Sequence, residues 1–447
     1  MNTDLLGSAF STAAIEPLLD ARAWVQAMLD FEAALARAQA RVGVIPAEAA
    51  GAIAAVCQAD RIDLAQIRAQ TVNGGNPAIP LIKQLTAAVA DEAAGYVHWG
   101  ATSQDVIDTA LMLVVRQATA QLLDELESIE RQCAGLAERH KDTVLAGRTL
   151  LQQALPITFG LKAAGWLSQL RRARLELERV RAEALAVQFG GAVGTLASIG
   201  DSGLAVLREL AAELALAEPD LPWHSARDRV VRLLSVLGLV GGAVGKIALD
   251  VALLMQTEVA EVAEPAGPGQ GGSSTMPHKR NPVLATLTLA AVRRLHALIP
   301  IVYASMLQEH ERGIGGWHAE WETVSDALRL TAAALQHVRL LTAGLSIDAD
   351  RMRRNLELTH GLVMAEAVMM ALAPVLGRGT AHAVVEAACR TALAEGASLK
   401  DVLGRDAELV EKVGRADFAE LFEPANYLGV AGRLVERVLD PASGDTP

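Results

Sequence analysis

Apolar side chains recur at helical spacing along most of this chain. The first such stretch has spacings of four and three residues, at Trp24, Met28, Phe31, Leu35, Ala38 and Val42. That alternation is typical of a helix–helix seam. Asp20 in front of the stretch and Gly43 behind it are residues that cap helices well. We therefore predict a helix between Asp20 and Gly43.

Longer helical patterns follow. One begins near Thr102 or Ser103, where Thr102 and Asp105 have the spacing of a capping box, and continues to about Arg139. The others are predicted at Gln153–Gln188, Arg229–Glu264, Pro282–Gln308 and Glu320–Ala343. No period-2 alternation is long enough to predict a sheet. The pattern therefore predicts an all-α protein built on a bundle of long helices that other subunits complete.

The composition and charge of the chain limit the partners and the location that we expect for the protein. The chain has 447 residues and a formal net charge of −12, which argues against nucleic acid as a partner. The three cysteines lie far apart, so we expect reduced thiols and no metal site. The first 17 residues do not resemble a signal peptide. Leu233–Gly245 is expected to be too short to cross a membrane. We therefore expect a cytoplasmic protein with no membrane partner.

The segment from Gly271 to Pro282 interrupts the helical pattern most strongly. It reads Gly-Gly-Ser-Ser-Thr-Met-Pro-His-Lys-Arg-Asn-Pro. Glycines allow a ligand to approach closely, and Pro282 can open a helix. Lys279 and Asn281 supply donors just before that helix. The segment is thus predicted to hold an anion at a helix N-terminus.

Three further segments break the pattern. His98–Asp105 places hydroxyls at a predicted helix start, where they can cap the helix, bind a carboxylate, or do both. Gly147–Pro156 contains Arg148 and Gln152. His310–Trp321 puts two tryptophans beside glycines. Trp317 and Trp321 either line a pocket or pack at a helix junction, and the sequence leaves both open.

Together these segments resemble the fumarase/aspartase superfamily. Gly272–Pro282 matches its signature, Gly-Ser-Ser-x-Met-Pro-x-Lys-x-Asn-Pro, at every fixed position. The resemblance continues through Gly75–Pro77, Thr102–Asp105, Gly147–Thr149 and Asn355–Glu366. It implies a three-domain helical subunit, with a central bundle of five long helices and a tetrameric twenty-helix core. We place the domains at 1–103, 104–345 with the signature loop 267–282, and 346–447.

The resemblance also implies an active site shared between three subunits, and no cofactor. Ser273 is expected to exchange a proton at the carbon next to a carboxylate, with Lys279 steadying the charge. The expected substrate contacts are His98, Thr102, Ser103, Arg148, Gln152, Ser274, Met276, Asn281, Arg312 and Trp317. For Arg148 and Arg312, surface or inter-subunit ion pairs are an open alternative. The run Trp223–Asp228 departs from relatives at Ala226, where many of them carry glutamine.

One departure indicates the reaction. Many members have a histidine after Gly-Arg-Thr that assists the leaving group, and this chain has Leu150 there. A carboxylate needs no such help, because it is a stable anion at neutral pH. The sequence therefore resembles a branch that adds a substrate carboxylate to a diene, and predicts a tricarboxylate substrate. The alternatives are an adenylosuccinate- or argininosuccinate-type lyase and a non-catalytic, crystallin-like structural protein.

Overall fold

A computed structural model describes residues 5–265, 272, 276 and 279–440, except for the side chains of Asp91, Arg415 and Ala416. Most of these residues are helical. The α-helices up to residue 214 are α1 Glu16–Leu19, α2 Ala21–Val42, α3 Ala47–Val56, α4 Leu64–Gly74, α5 Ala78–Ala88, α6 Asp91–Ala94, α7 Ser103–Arg139, α8 Phe159–Ala184 and α9 Gly203–Leu214. The later ones are α10 Asp228–Leu254, α11 Val283–Ala304, α12 Gly316–Ala343, α13 Ala349–Leu356, α14 Ala365–Leu376, α15 Arg378–Glu395, α16 Leu399–Gly404, α17 Ala407–Val413, α18 Arg415–Glu420 and α19 Ala431–Leu439. The predicted all-α class is confirmed.

The predicted helix ends hold where a cap is close in sequence. The Asp20 side chain accepts a hydrogen bond from the Ala23 amide, and Gly43 ends α2 with a φ of 81°. The helix α7 runs from Ser103 to Arg139, as expected. The helix expected from Arg229 to Glu264 instead ends at Leu254.

A β-hairpin corrects the expectation that the chain contains no sheet. Strand β1, Val144–Thr149, pairs antiparallel with β2, Gln152–Thr158. The helix predicted from Gln153 consequently begins only at Phe159. Two further short strands, β3 Val262–Ala263 and β4 Ser346–Ile347, also pair antiparallel.

The chain forms two compact units. The first contains residues 1–127, 172–245 and 287–338. Within it, Gly238 and Gly241 of α10 let Ile299 and Leu295 of α11 pack closely against the helix. The second contains 128–171, 246–286 and 339–447. Its own apolar core includes Val368, Leu372, Val385, Leu399 and Phe418, contributed by the short C-terminal helices. The predicted three-domain division stays a prediction.

Among the described residues, three helices are long and apolar enough, by length and composition alone, to cross a membrane. They are 103–139, 228–254 and 283–304, and the bent pair 349–359 with 362–376 would be a fourth span. The argument that Leu233–Gly245 is too short was therefore wrong, because the helix around it has 27 residues. The burial of these helices differs. In α7 and α10, 72% and 67% of the apolar 18-residue stretch is buried within the chain, but in α11 only 33% of that stretch is buried. Most of the apolar stretch of α11 is thus at least partly exposed.

Candidate active site

In the first unit, Asp105 ties the start of α7 to two loops. Its carboxylate accepts hydrogen bonds from the amides of Thr102, Gly190 and Gly191, at 2.9–3.0 Å. It also lies 2.7 Å from His224 Nε2. Asp105 is fully buried. One of the two hydrogen bonds of the predicted capping box is therefore formed, from the Thr102 amide to the Asp105 carboxylate. This contact fixes Thr102 and Ser103 at the helix N-terminus.

A buried ion cluster lies one turn further along α7. The Arg227 guanidinium contacts both oxygens of Asp108, at 2.8 and 2.9 Å, and both oxygens of Glu320, with a shortest contact of 2.6 Å. All three side chains are at most 1% exposed. Burial raises the pKa of Glu320, although its hydrogen bond and ion pair with Arg227 oppose that shift. We call these three residues the Arg227 cluster.

Trp317 closes one side of the Arg227 cluster. Its indole N–H donates to Asp108 Oδ1 at 3.0 Å, and the side chain is buried. The Trp317 and Trp321 rings meet edge to face, with centroids 5.0 Å apart. This geometry favours packing at a helix junction over a direct contact between Trp317 and substrate.

Arg312 is held in a different way. Its Nη1 donates to Gln104 Oε1 at 3.0 Å, and its Nη2 donates to the Ala192 carbonyl at 2.7 Å. The buried Gln104 amide in turn donates to Asp108 Oδ2 and to the His224 carbonyl. Within the described parts of the chain, neutral acceptors alone contact Arg312. Two hydrogen bonds thus fix its position, and no described carboxylate forms an ion pair with it.

His98 lies just before the same helix start. Its Nδ1 is 2.7 Å from Oε1 of the buried Glu32. Burial opposes protonation of His98, but attraction to Glu32, their hydrogen bond and the charge of Asp105 together raise its pKa. The structure thus brings His98, Thr102, Ser103 and Arg312 into one unit, around elements that Asp105 and Gln104 connect.

In the second unit, Arg148 is neutralised by a buried carboxylate. Its two terminal nitrogens donate to the two oxygens of Glu261, at 2.6 and 2.9 Å. Asn355 donates to the same carboxylate at 2.8 Å. Glu261 is fully buried. Arg148 thus forms an intramolecular ion pair that neither sequence interpretation foresaw, and this geometry favours a structural role over binding a substrate carboxylate.

The turn of the β1–β2 hairpin presents apolar side chains. Leu150 and Leu151 both have positive φ, 50° and 64°, as in the turns that usually carry Asn-Gly. Their side chains are 97% and 72% exposed. Gln152 follows at the start of β2 and is also exposed. Both are bulky residues in a left-handed conformation that favours glycine or asparagine, and backbone strain of this kind is concentrated at functional sites.

The N-terminus of α11 corrects a prediction. The amides of Leu284 and Ala285 donate to the two oxygens of Glu264, at 2.9 and 2.7 Å. Burial raises the pKa of this carboxyl, and the backbone donors oppose the shift. The anion at this helix end is therefore the protein's own Glu264.

The residues that precede α11 are only partly described. Lys279 is exposed, and its amide donates to the Met276 carbonyl at 3.0 Å. The side chain of Met276 is 43% exposed. Asn281 is half-buried, and its carbonyl accepts from the Val283 amide at 2.9 Å. Ser273 and Ser274 lie outside the described residues, so their predicted roles stay predictions.

Sequence reasoning missed the groups that hold these side chains. Asp108 and Glu320 lie 119 and 93 residues from Arg227. Glu261 lies 113 residues from Arg148. One indirect signal for these groups was present in the sequence. Arg227 and Asn355 lie in two segments that were considered in the family resemblance, Trp223–Asp228 and Asn355–Glu366. Ion pairs between residues so far apart in sequence leave no local pattern from which they could be predicted.

The comparisons with known proteins fit this arrangement. A family model described as "Lyase" matches residues 10–295, and one described as "Adenylosuccinate lyase C-terminus" matches residues 361–438. The chain therefore belongs to the fumarase/aspartase superfamily of lyases.

Two curated relatives and one solved structure are similar over nearly the whole chain. A 3-carboxy-cis,cis-muconate cycloisomerase of Bradyrhizobium diazoefficiens is 49% identical over 444 residues, which are 99% of this chain and 98% of that one. One of Pseudomonas aeruginosa is 50% identical and covers 97% and 95%. The crystal structure of the 3-carboxy-cis,cis-muconate lactonizing enzyme from Pseudomonas putida superposes with a TM-score of 0.93 at 44% identity and covers 97% and 98%.

Proposed function

We propose that this protein closes 3-carboxy-cis,cis-muconate to 4-carboxymuconolactone, a step in protocatechuate degradation by the β-ketoadipate pathway. The observation that carries the proposal is Leu150 at the exposed tip of the hairpin, where many superfamily members have a histidine. An apolar side chain there suits a carboxylate that adds to a double bond, because that nucleophile is already ionised at neutral pH. The full-length similarity to curated cycloisomerases supports the same reaction.

The chemistry balances with one proton taken from solvent. An oxygen of one substrate carboxylate forms a bond to a diene carbon, and the π bond of that C=C breaks while its σ bond remains. The electron pair moves onto the carbon next to another carboxylate and is delocalised there as an aci-carboxylate. A proton then adds to that carbon. The trianion thus becomes a dianionic lactone, and no group leaves.

We assign the charge-stabilising role to Lys279 and Asn281. Fixed donors aimed at developing charge are usually the largest single contribution to catalysis. Ser273 is the proposed proton donor, and solvent reprotonates it. His98, Thr102, Ser103, Gln152, Ser274 and Met276 are the further proposed substrate contacts.

For the remaining substrate carboxylates we favour Arg312 over Arg148. Neutral acceptors hold Arg312, so binding an anion breaks no ion pair with any residue that the structure describes. Arg148 is already committed to Glu261, and releasing it would leave a buried carboxylate without its cation. A planar guanidinium is well suited to bidentate recognition of a carboxylate.

We further propose a cytoplasmic homotetramer in which several subunits contribute to each active site. The partly exposed apolar stretch of α11 supports association through the long helices. The proposed contacts fall into two groups, one in each compact unit, and assembly would combine groups from different subunits. Size-exclusion chromatography with light scattering measures the subunit number.

A substrate panel tests the function. The purified protein is mixed with 3-carboxy-cis,cis-muconate, adenylosuccinate or argininosuccinate in parallel. We expect loss of the conjugated diene absorbance with the first substrate and no fumarate from the other two. Fumarate release without diene loss would favour the lyase alternative, and binding of a tricarboxylate analogue without any turnover would favour a non-catalytic role.

Two variants test the assigned chemistry in the same assay. Ser273→Ala should lower turnover about a thousandfold or more, because a positioned proton donor contributes on that order, with folding and assembly unchanged. Activity near that of the wild type would refute the proton role. Leu150→His should not raise the rate of cyclisation. A large gain would contradict the leaving-group argument.

A further inference from the structure

A buried carboxylate stands directly behind His98. Glu32 of α2 is 1% exposed, and its Oε1 lies 2.7 Å from His98 Nδ1. The other oxygen, Oε2, is buried and has no hydrogen-bond partner among the described residues. An isolated carboxylate is costly to bury, so the imidazole is the group that compensates Glu32.

The backbone holds His98 in this pairing. His98 has a φ of 58°, a left-handed conformation that is unusual for a residue other than glycine. The next carbonyl, that of Trp99, accepts from Nε2 of the fully buried Gln39 at 2.7 Å. At Gly100, with a φ of 74°, a Cβ would lie 2.7 Å from Ile199. Strain of this kind persists where surrounding contacts fix it, and it concentrates at functional sites.

The second ring nitrogen of His98 is unused. Nε2 has no hydrogen-bond partner in the described parts of the chain, and 18% of the side chain remains exposed. A histidine with one nitrogen on a buried carboxylate has its orientation fixed and presents the other nitrogen in a defined direction. This nitrogen belongs to the same unit as Thr102, Ser103 and Arg312.

We propose that Glu32 is a positioning residue that orients His98 and keeps it protonated, so that its Nε2–H binds an anionic group of the substrate. This inference rests on the proposed function for the identity of the anion, a substrate carboxylate. Neither Glu32 nor the pair has a role in the superfamily resemblance set out above. The charged hydrogen bond would supply a cation just before the start of α7.

The surrounding charges agree with a protonated His98. Glu32 faces it from α2, and Asp105 acts on it from α7; both carboxylates raise its pKa against the effect of burial. Cys57, which feels the charge of Glu32, remains a neutral thiol because burial and that charge raise its pKa to about 12. The active form in this scheme carries the proton, so activity falls as the pH rises through the His98 pKa. Removing the Glu32 charge shifts that fall to lower pH.

The first experiment titrates His98 without relying on turnover. Protein with 13C-labelled histidine is followed by NMR from pH 5 to 9, and His98→Asn assigns the resonance. Glu32→Gln keeps a hydrogen-bond acceptor but removes the charge, and it should lower the titration midpoint of His98. Glu213→Gln, which alters a surface ion pair of the same unit, should leave it unchanged. An unchanged midpoint in Glu32→Gln would overturn the pairing whatever the substrate proves to be.

The second experiment links the pair to catalysis. Glu32→Gln should lower kcat/KM for the muconate about tenfold at pH 8 and less at pH 6, as the loss of one nearby opposite charge implies. In the His98→Asn background the same substitution should have no further effect, because Glu32 acts only through His98. A loss that is equal at every pH, or that persists without His98, would show a merely structural role and overturn the proposal. Glu32→Asp tests for partial rescue by a retained charge.

Discussion

Two arginines, one in each compact unit, were indistinguishable in the sequence and differ sharply in the structure. Arg312 is held by the side-chain carbonyl of Gln104 and the backbone carbonyl of Ala192. Arg148 is held by both oxygens of the buried Glu261. A charge fixed by neutral acceptors is available to a ligand, but a charge already paired in the interior serves the fold. The hydrogen-bond partner of an arginine is therefore a better guide to its role than the sequence motif in which the arginine lies.

Arg227, like Arg148, is an arginine whose charge is paired in the protein interior, and its pairing is more complete. A single cation compensates Asp108 and Glu320, and all three side chains are excluded from solvent. Gln104 connects this cluster to Arg312, because its amide donates to Asp108 and accepts from Arg312. The fully paired arginine thus helps to fix the unpaired one.

The largest effect is expected from breaking the Arg227 cluster. Arg227→Met leaves two buried carboxylates without a cation, and loss of one partner from such a pair costs about 3–5 kcal/mol. Urea denaturation should show a loss at the upper end of that range. Arg179→Met removes an exposed helix-surface pair and should change stability little. Equal losses in both variants would contradict the distinction between buried and exposed pairs.

A somewhat smaller loss of stability is expected at Arg148. Arg148→Gln leaves Glu261 with Asn355 as its remaining side-chain partner, and we expect about 3 kcal/mol of destabilisation. The double variant Arg148→Met with Glu261→Met should recover much of that loss, since neither charge of the pair remains without its partner. A stable Arg148→Gln protein with a raised KM would instead place Arg148 on the substrate.

Arg312 should show the opposite pattern. Arg312→Gln keeps a polar side chain but removes the charge, and kcat/KM should fall about 10- to 100-fold, the equivalent of one charged hydrogen bond. The unfolding midpoint should stay close to that of the wild type. Unchanged kinetics would show that Arg312 has no substrate role, and the comparison between the two arginines would fail.

The smallest effect concerns the hairpin tip. Leu150→Asn places a residue that tolerates positive φ in the strained turn and should stabilise the protein by about 1 kcal/mol. Leu204→Asn, at an exposed position of α9, should bring no gain, because asparagine is a poorer helix former than leucine. A similar change in both variants would show that the turn is not strained.

Most of the fold was predictable because its signals are local. Caps such as Asp20 and Gly43 and the apolar stripe of α2 lie within one helix. The hairpin was missed because Gly147–Pro156 lacks alternation and its turn carries Leu-Leu in place of Asn-Gly. The end of α10 near Leu254 carried no cap residue that sequence reasoning could recognise.

The candidate site was predictable in its residues but not in their partners. The sequence motifs identified His98, Arg148 and Arg312 as candidates. The role of each depends on its hydrogen-bond partner, which is Glu32, Glu261 or Gln104 respectively. Glu264 lies 20 and 21 residues before the two amides that it caps, so the sequence did not show that this helix N-terminus already has an anion of its own. Such pairings depend on tertiary packing, which no local pattern records.

The most direct test of the account is the origin of the atoms added to the product. The purified protein converts 3-carboxy-cis,cis-muconate in water enriched in oxygen-18 and deuterium, and the product is examined by mass spectrometry and NMR. Intramolecular carboxylate addition predicts one deuterium on carbon and no solvent oxygen. Oxygen-18 in the product, or no consumption of the diene, would contradict it.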